Sequence, residues 1–297
     1  MSPAAPPHTV FLQACRLDVA VRKPGNVSLA SAGHGMQARQ FLDSAAAAAP
    51  ALFAPGARVG ARIEAAMAAT LAVAGCNTNL GIVLLCAPLA AALERCAGSW
   101  NALGDDARPA ALRAALADVL AALDVEDTRA AYRAIAAANP GGLGRAEAQD
   151  VAAGPTVGLR EAMRLAADRD RIARQYASDY ADLFDTGLAA LRRPAAASPR
   201  LDAAAVQALF LACLGRWPDS HIVRKFGADV AQAVTDEAAP WLRRAEGGER
   251  VGDDPAFAAW DEDLKARGLN PGTSADLTVT TLFIAGALGV ADLSTFP

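Results

Sequence analysis

The chain has 297 residues, of which 53% are hydrophobic, 20% charged and only 5% aromatic. A formal net charge of -4 and a pI of about 5.4 leave no basic face for a nucleic-acid backbone, which argues against nucleic acid as a partner. With so few aromatic residues the interior has to be built mainly from Ala, Leu, Val and Ile, and that favours closely packed helices.

Residues 1–8 are expected to fray, and the apolar start is broken at Arg16 and Asp18, so it does not read as an export signal. A first helix should end at "RKPGN", where Pro24 disfavours helix at Lys23 and Gly25 permits a sharp exit. Apolar residues recurring at steps of three and four predict further helices over 36–49, 60–74, 80–96, 109–123, 125–138, 159–184, 203–214, 222–235 and 275–290. No stretch alternates with period two, so the expected fold class is all-α: a single compact multi-helix domain with a central buried helix. The most apolar run, 80–93, holds a Gly and a Pro and is shorter than the roughly 18 residues of a membrane span. It reads as that buried helix, and no membrane partner is expected. The Ala/Pro stretch 192–200 reads as a loop within the domain. Five cysteines without a CxxC pair suggest reduced core thiols and a cytoplasmic protein.

Candidate chemistry also follows chain order. Lys23 and Asn26 flank a glycine turn, and Lys23 could grip phosphate oxygens or end a helix as a solvated charge. His34 sits between glycines, exposed or in a site. In "GCNTNLG", Asn77, Thr78 and Asn79 could cap the next helix or face a cleft. Asp124 should cap the helix over 125–138, in which Asp127 leads an apolar stripe or supports the cap. That helix stops at Asn139, after which Gly141, Gly142 and Gly144 leave backbone N–H groups able to hold phosphate, or simply end a helix. Asp168 shares a stripe with Leu165, Ile172, Tyr176, Asp179 and Leu183, which places it on the apolar side of a helix. Asp170 reads as a surface pair with Arg174. His221, Arg224 and Lys225 gather at a helix start capped by Asp219 or Ser220, and are either an anion grip or an amphipathic face. In "NPGTSADL", Asn270, Gly272 and Thr273 enter a very apolar helix that Thr273 or Ser274 can cap. Asp276 would then stand in its first turn, as a ligand or as capping support. No His/Cys spacing suggests zinc.

Together "KPGNV", the following Gly-His, "NTNLGIVLLCAPLAAA", "VEDTRAAYRAIAAANPGGLGRAEAQDV", "DRDRIARQYASDY", "DSHIVRKFG" and "NPGTSADL" resemble, in order and approximate spacing, the triphosphoribosyl-dephospho-CoA synthase family. The resemblance runs from about Cys15 to Leu288. It implies an all-α transferase that takes ATP with Mg²⁺, joins its triphosphoribosyl group to 3′-dephospho-CoA and releases adenine, making a prosthetic-group precursor. The substitution at the anomeric carbon has oxocarbenium character and calls for acids and anion grips. The resemblance supplies Asp127, Asp168 and Asp276 as catalytic acids and Asp127, Asp150 and Asp276 as metal ligands. Substrate would be held by Lys23, Asn26, His34, Asn77, Asn79, the two Asn-Pro-Gly loops, His221, Arg224 and Lys225.

Two departures bear on the acceptor: His34 is followed by Gly35-Met36, and Gly25 by Asn26-Val27-Ser28. The "KPGNV" form is similar to an offshoot linked to tetrahydromethanopterin synthesis, so a pterin-type acceptor is one alternative. A non-catalytic helical binding protein, whose aspartates are caps and ion pairs, is another. The expected partners are small nucleotides, and association into a homo-oligomer is left open.

Overall fold

The computed structural model describes residues 5–139, 151, 154–191 and 201–294, and among them there are fourteen α-helices and no strand. In chain order these are α1 (Pro7–Ala20), α2 (Ala38–Leu52), α3 (Val59–Ala74), α4 (Leu80–Cys96), α5 (Arg108–Ala121), α6 (Val125–Ala138) and α7 (Leu159–Arg164). They continue as α8 (Arg171–Ala177), α9 (Leu188–Leu191), α10 (Ala203–Leu214), α11 (Ser220–Phe226), α12 (Ala228–Glu246), α13 (Pro255–Ala266) and α14 (Gly272–Leu288). The fold class is all-α, as expected. Contacts gather the chain into two units, one within Met1–Leu12, Asp43–Ala181 and Ala287–Gly289, the other within Gln13–Leu42, Asp182–Gly286 and Val290–Pro297. Neither unit is a contiguous stretch, and the 192–200 loop lies outside the described residues.

In the first unit α3 packs along α6 and α4 against α5. The α3–α6 approach is close enough that a Cβ on Gly60 would lie 2.6 Å from the Asp127 Cα, so only glycine fits there. Leucines, cysteines and alanines bury most of α4, which also carries Pro88. Proline has no N–H, so the Leu84 carbonyl loses its helical partner. The buried Tyr176 hydroxyl donates to that carbonyl at 2.6 Å, and Tyr180 donates to the adjacent Leu85 carbonyl at 3.0 Å. Burial pushes both phenols above their ordinary range.

The single helix expected over 159–184 is not formed. Asp170 caps α8 by accepting from the Ile172 and Ala173 N–H groups, which starts a new helix instead of pairing with Arg174 along an old one. Asp179 and Tyr180 then take left-handed φ angles of 50° and 59°, and six residues of π-helix follow over Asp182–Gly187. The apolar stripe is lost with the helix. Asp168 stands exposed in the turn before α8, and Leu165 is exposed too.

In the second unit α10 is buried along almost its whole length and packs on α12. Phe210, Leu211, Leu214, Ile222, Val234, Phe257, Leu264 and Leu269 form the core there. The helix expected over 222–235 is two helices, because Gly227, at a φ of 92°, ends α11 before α12 begins. Helix α13 lies outside the sequence expectations. It starts at an Asp254 cap with Pro255 in its first turn, and it buries Phe257, Asp261 and Leu264.

Candidate active site

The second unit brings the Lys-Pro-Gly turn at Gly25 together with the Asn-Pro-Gly turn at Gly272, while the other Asn-Pro-Gly loop, after Asn139, lies outside the described residues. Gly25, at a φ of 79°, has no room for a side chain: a Cβ would lie 2.7 Å from the Leu269 carbonyl oxygen and 2.7 Å from Pro271 Cδ. The Lys-Pro-Gly-Asn turn after α1 therefore rests directly on the Leu-Asn-Pro stretch that enters α14. Asn26 Nδ2 donates to Asn270 Oδ1 at 3.0 Å, and His34 Nε2 meets the Gly25 carbonyl oxygen at 2.8 Å. From α13, Asp261, which has no exposed surface, accepts the Gly25 N–H at 2.8 Å. The same carboxylate pairs with Lys265 at 2.9 Å and with Arg22 at 3.5 Å. Buried charge is stable only when paired in this way.

Asp219 ties α11 to α14. One carboxylate oxygen accepts the His221 and Ile222 N–H groups at 2.9 and 3.3 Å, the other the Ser274 N–H and hydroxyl at 2.7 and 2.8 Å. Burial raises its pKa, against the pull of those hydrogen bonds. So Asp219, and not Ser220, is the α11 cap. Ser274 does not cap α14, because its hydroxyl turns to Asp219, while the Thr273 hydroxyl accepts from the His221 N–H at 3.2 Å. The His221 ring lies beside Gly272, where a Cβ would be 3.1 Å from Nδ1. Burial first, then Lys225, Arg224 and His34, push the imidazole down to about 3, so it is neutral at physiological pH. Its Nε2 is buried without a protein partner, as is Asn26 Oδ1. Arg224 is half-buried and Lys225 exposed, and Asp276 is half-buried just beyond the first turn of α14 instead of within it.

Lys23 is neither a phosphate grip on display nor a solvated charge. It has no exposed surface, and its ammonium is held 3.0 Å from the Asp18 carboxylate and hydrogen-bonded to the Asp18 carbonyl. Burial raises the Asp18 pKa, and Lys23 opposes that.

The remaining expected residues belong to the first unit. Asp127 is buried, and both of its oxygens are engaged: one accepts the Gly60 N–H at 2.9 Å, the other Arg58 at 2.7 Å and the Asp124 N–H at 3.2 Å. It forms a capping box with Asp124, which is the support role. Asn77 accepts the Leu80 N–H at 3.0 Å, as a cap would. Asn79, although at the cap position, instead accepts from the Thr70 hydroxyl at 3.0 Å. Asn139 ends α6 in the left-handed region, at a φ of 42°. Gly141, Gly142, Gly144 and Asp150 lie outside the described residues. Among the described residues no three His, Cys, Asp or Glu side chains gather as metal ligands would.

The sequence reading missed Asp261 and the Asp18 partner of Lys23. A signal for Asp261 existed: "DPAFAAWDEDLKARG" has a cap, an apolar face and an Asp-Lys pair at i,i+4.

The family model of ATP:dephospho-CoA triphosphoribosyl transferases matches residues 4–293. The fold is also similar to a crystal structure from Archaeoglobus fulgidus described as a candidate triphosphoribosyl-dephospho-CoA synthase. That chain is 25% identical, with a TM-score of 0.60, and the alignment covers 84% of this chain and 99% of that one. Among curated proteins, none matches. The protein is thus an all-α transferase of cofactor biosynthesis. More particularly, it belongs to the ATP:dephospho-CoA triphosphoribosyl transferase family, whose members move a triphosphoribosyl group from ATP to dephospho-CoA.

Proposed function

We propose that the paired turns of the second unit form the nucleotide site of this transferase. There the C1′–N9 bond of ATP breaks, a bond forms between C1′ and a ribose hydroxyl of dephospho-CoA, the hydroxyl gives up its proton and adenine leaves with one. The observation that carries this reading is the docking of Lys-Pro-Gly-Asn onto Asn-Pro-Gly beside a neutral, partly unsatisfied His221. Two stretches more than two hundred residues apart in sequence thereby build one polar corner in an apolar unit.

Within it Asn26, His34, His221, Asn270, Gly272 and Thr273 would hold substrate. Arg224 and Lys225 would offset triphosphate charge. Asp276 is the carboxylate assigned to the hydroxyl proton. Magnesium accompanying ATP would screen the phosphates. Among the described residues no three His, Cys, Asp or Glu side chains gather around a place for it. Asp127 is left out because its oxygens are committed to Arg58, Gly60 and Asp124, and Asp168 because it is exposed on a turn.

The test is adenine release. Purified protein with ATP, Mg²⁺ and dephospho-CoA should yield free adenine and a triphosphoribosylated product by mass spectrometry, and ATP alone should yield neither. If no adenine forms with dephospho-CoA, that acceptor is wrong; release with a pterin acceptor in its place would favour the alternative drawn from the Asn26-Val27-Ser28 sequence.

A further inference from the structure

Two uncharged polar atoms of the corner, Asn26 Oδ1 and His221 Nε2, are buried with no hydrogen-bond partner in the protein. Asn26 is 4% exposed; its amide nitrogen already donates to Asn270, and the atom left with no bond at all is its acceptor, Oδ1. They meet the same short stretch from two sides: Asn26 is bonded to Asn270 at 3.0 Å, and the Gly272 Cβ position lies 3.1 Å from His221 Nδ1 and 3.8 Å from Asn270 Nδ2. Buried polar groups almost always find partners, so two unmade bonds in one cluster point to a ligand.

The chemistry of that ligand follows from charge. An amide oxygen can only accept, and a neutral imidazole can donate from Nε2. Burial, with Lys225, Arg224 and His34 nearby, keeps the ring neutral. A phosphate would find no cation in this pair. The cations stand one turn along α11, at Arg224 and Lys225, three and four residues from His221 and so on its side of the helix. An uncharged group that offers a donor next to an acceptor satisfies both atoms. The exocyclic amine and neighbouring ring nitrogen of adenine are such a group.

We propose that Asn26 and His221 read the amino edge of an adenine ring, Asn26 Oδ1 accepting from the amine and His221 Nε2–H donating to the adjacent ring nitrogen. This rests on the nucleotide site proposed above and assigns its uncharged subsite. Both ATP and dephospho-CoA carry adenine, so the same chemistry has two sources.

Isothermal titration of the full chain separates them, using ATP, inosine triphosphate, dephospho-CoA, its inosine counterpart and inorganic tripolyphosphate as probes. Inosine presents an oxygen where adenine has the amine, and that oxygen would face Asn26 Oδ1. Wild-type protein should prefer adenine over inosine by about tenfold or more, in the ATP arm or in the dephospho-CoA arm. The arm that shows the preference names the source. His221→Phe and Asn26→Ala should abolish it while leaving tripolyphosphate binding unchanged. Gly272→Ala, whose Cβ would crowd the imidazole at 3.1 Å from Nδ1, should weaken it while both polar groups remain in the chain, and it carries the test if Asn26→Ala does not fold. The proposal is overturned if wild type shows no preference in either arm, if the variants keep it, or if they lose tripolyphosphate binding by the same factor. Adenine release is scored separately. Turnover with no base preference sinks the subsite and spares the transferase reading, whereas base preference without turnover does the reverse.

Discussion

Asp127 in the first unit and the Asn26–His221 pair in the second are both buried polar groups at the start of a helix or beside a glycine, and their surroundings treat them oppositely. Every oxygen of Asp127 has a partner from its own unit. Asn26 and His221 each keep one atom unbonded. A completed set of hydrogen bonds rigidifies, whereas an incomplete one in a folded chain reserves a direction for something else. Asp261 joins Asp127 on the completed side, with one oxygen on the Gly25 N–H and the other on Lys265, close in space to the residues that stay unfinished.

The contrast can be broken most forcefully at Asp261. Replacing it by Ala leaves Lys265 buried and unpaired and strips Gly25 of its acceptor. We expect a loss of about 3–5 kcal/mol in denaturant unfolding, with Asp261→Asn partly restoring it through the Gly25 bond. Asp127→Ala removes the capping box and the Gly60 acceptor. It should lose about 2–3 kcal/mol, the half-exposed Arg58 adding little. Adenine release per folded molecule should persist; the opposite pattern, full stability with dead chemistry, would move Asp127 into the site.

Tyr176→Phe leaves the Leu84 carbonyl opposite Pro88 unsatisfied and should cost about 1–2 kcal/mol by the same unfolding measurement. A pH series then sharpens the view of His221. Its folded pKa, about 3, lies below the ordinary 6.5, so beneath pH 6.5 the unfolded chain takes a proton that the folded one refuses. The stability tied to this group is therefore complete above 6.5 and is lost as pH falls towards about 3. Melting temperatures of wild type should fall more steeply across that window than those of His221→Phe, with Asp219, Arg224, Lys225 and His34 common to both. The smallest effect is expected for the exposed Asp168: Asp168→Asn should stay within about 0.5 kcal/mol of wild type and release adenine at the wild-type rate.

Much of the helical order was legible. Helices α4, α6 and α10 start and stop where periodicity, Asp caps and Pro/Gly stops place them. The segment from Leu159 onward was not: its left-handed turn at Asp179 and Tyr180 lies beside two tyrosine hydroxyls bonded to α4 carbonyls, long-range contacts invisible to a local pattern. The same holds for the site. The Lys-Pro-Gly turn and the Asn-Pro-Gly turn at Asn270 could each be picked out along the chain, but their docking depends on Gly25 meeting Pro271, and only folding reveals that contact. Lys23 and Asp127 were legible as unusual residues without their partners. It is the partners, Asp18 and Arg58 among them, that decide between scaffold and chemistry.

The tyrosine pair beneath Pro88 has a use of its own. The chain has three tyrosines, and burial holds the phenols of Tyr176 and Tyr180 in their protonated form well into alkali. During an alkaline titration, near-ultraviolet phenolate absorbance from these two rings can grow only once both leave their burial against α4. The protein thus carries an intrinsic optical clock for the dissolution of its first unit, which needs no label and no engineered tryptophan.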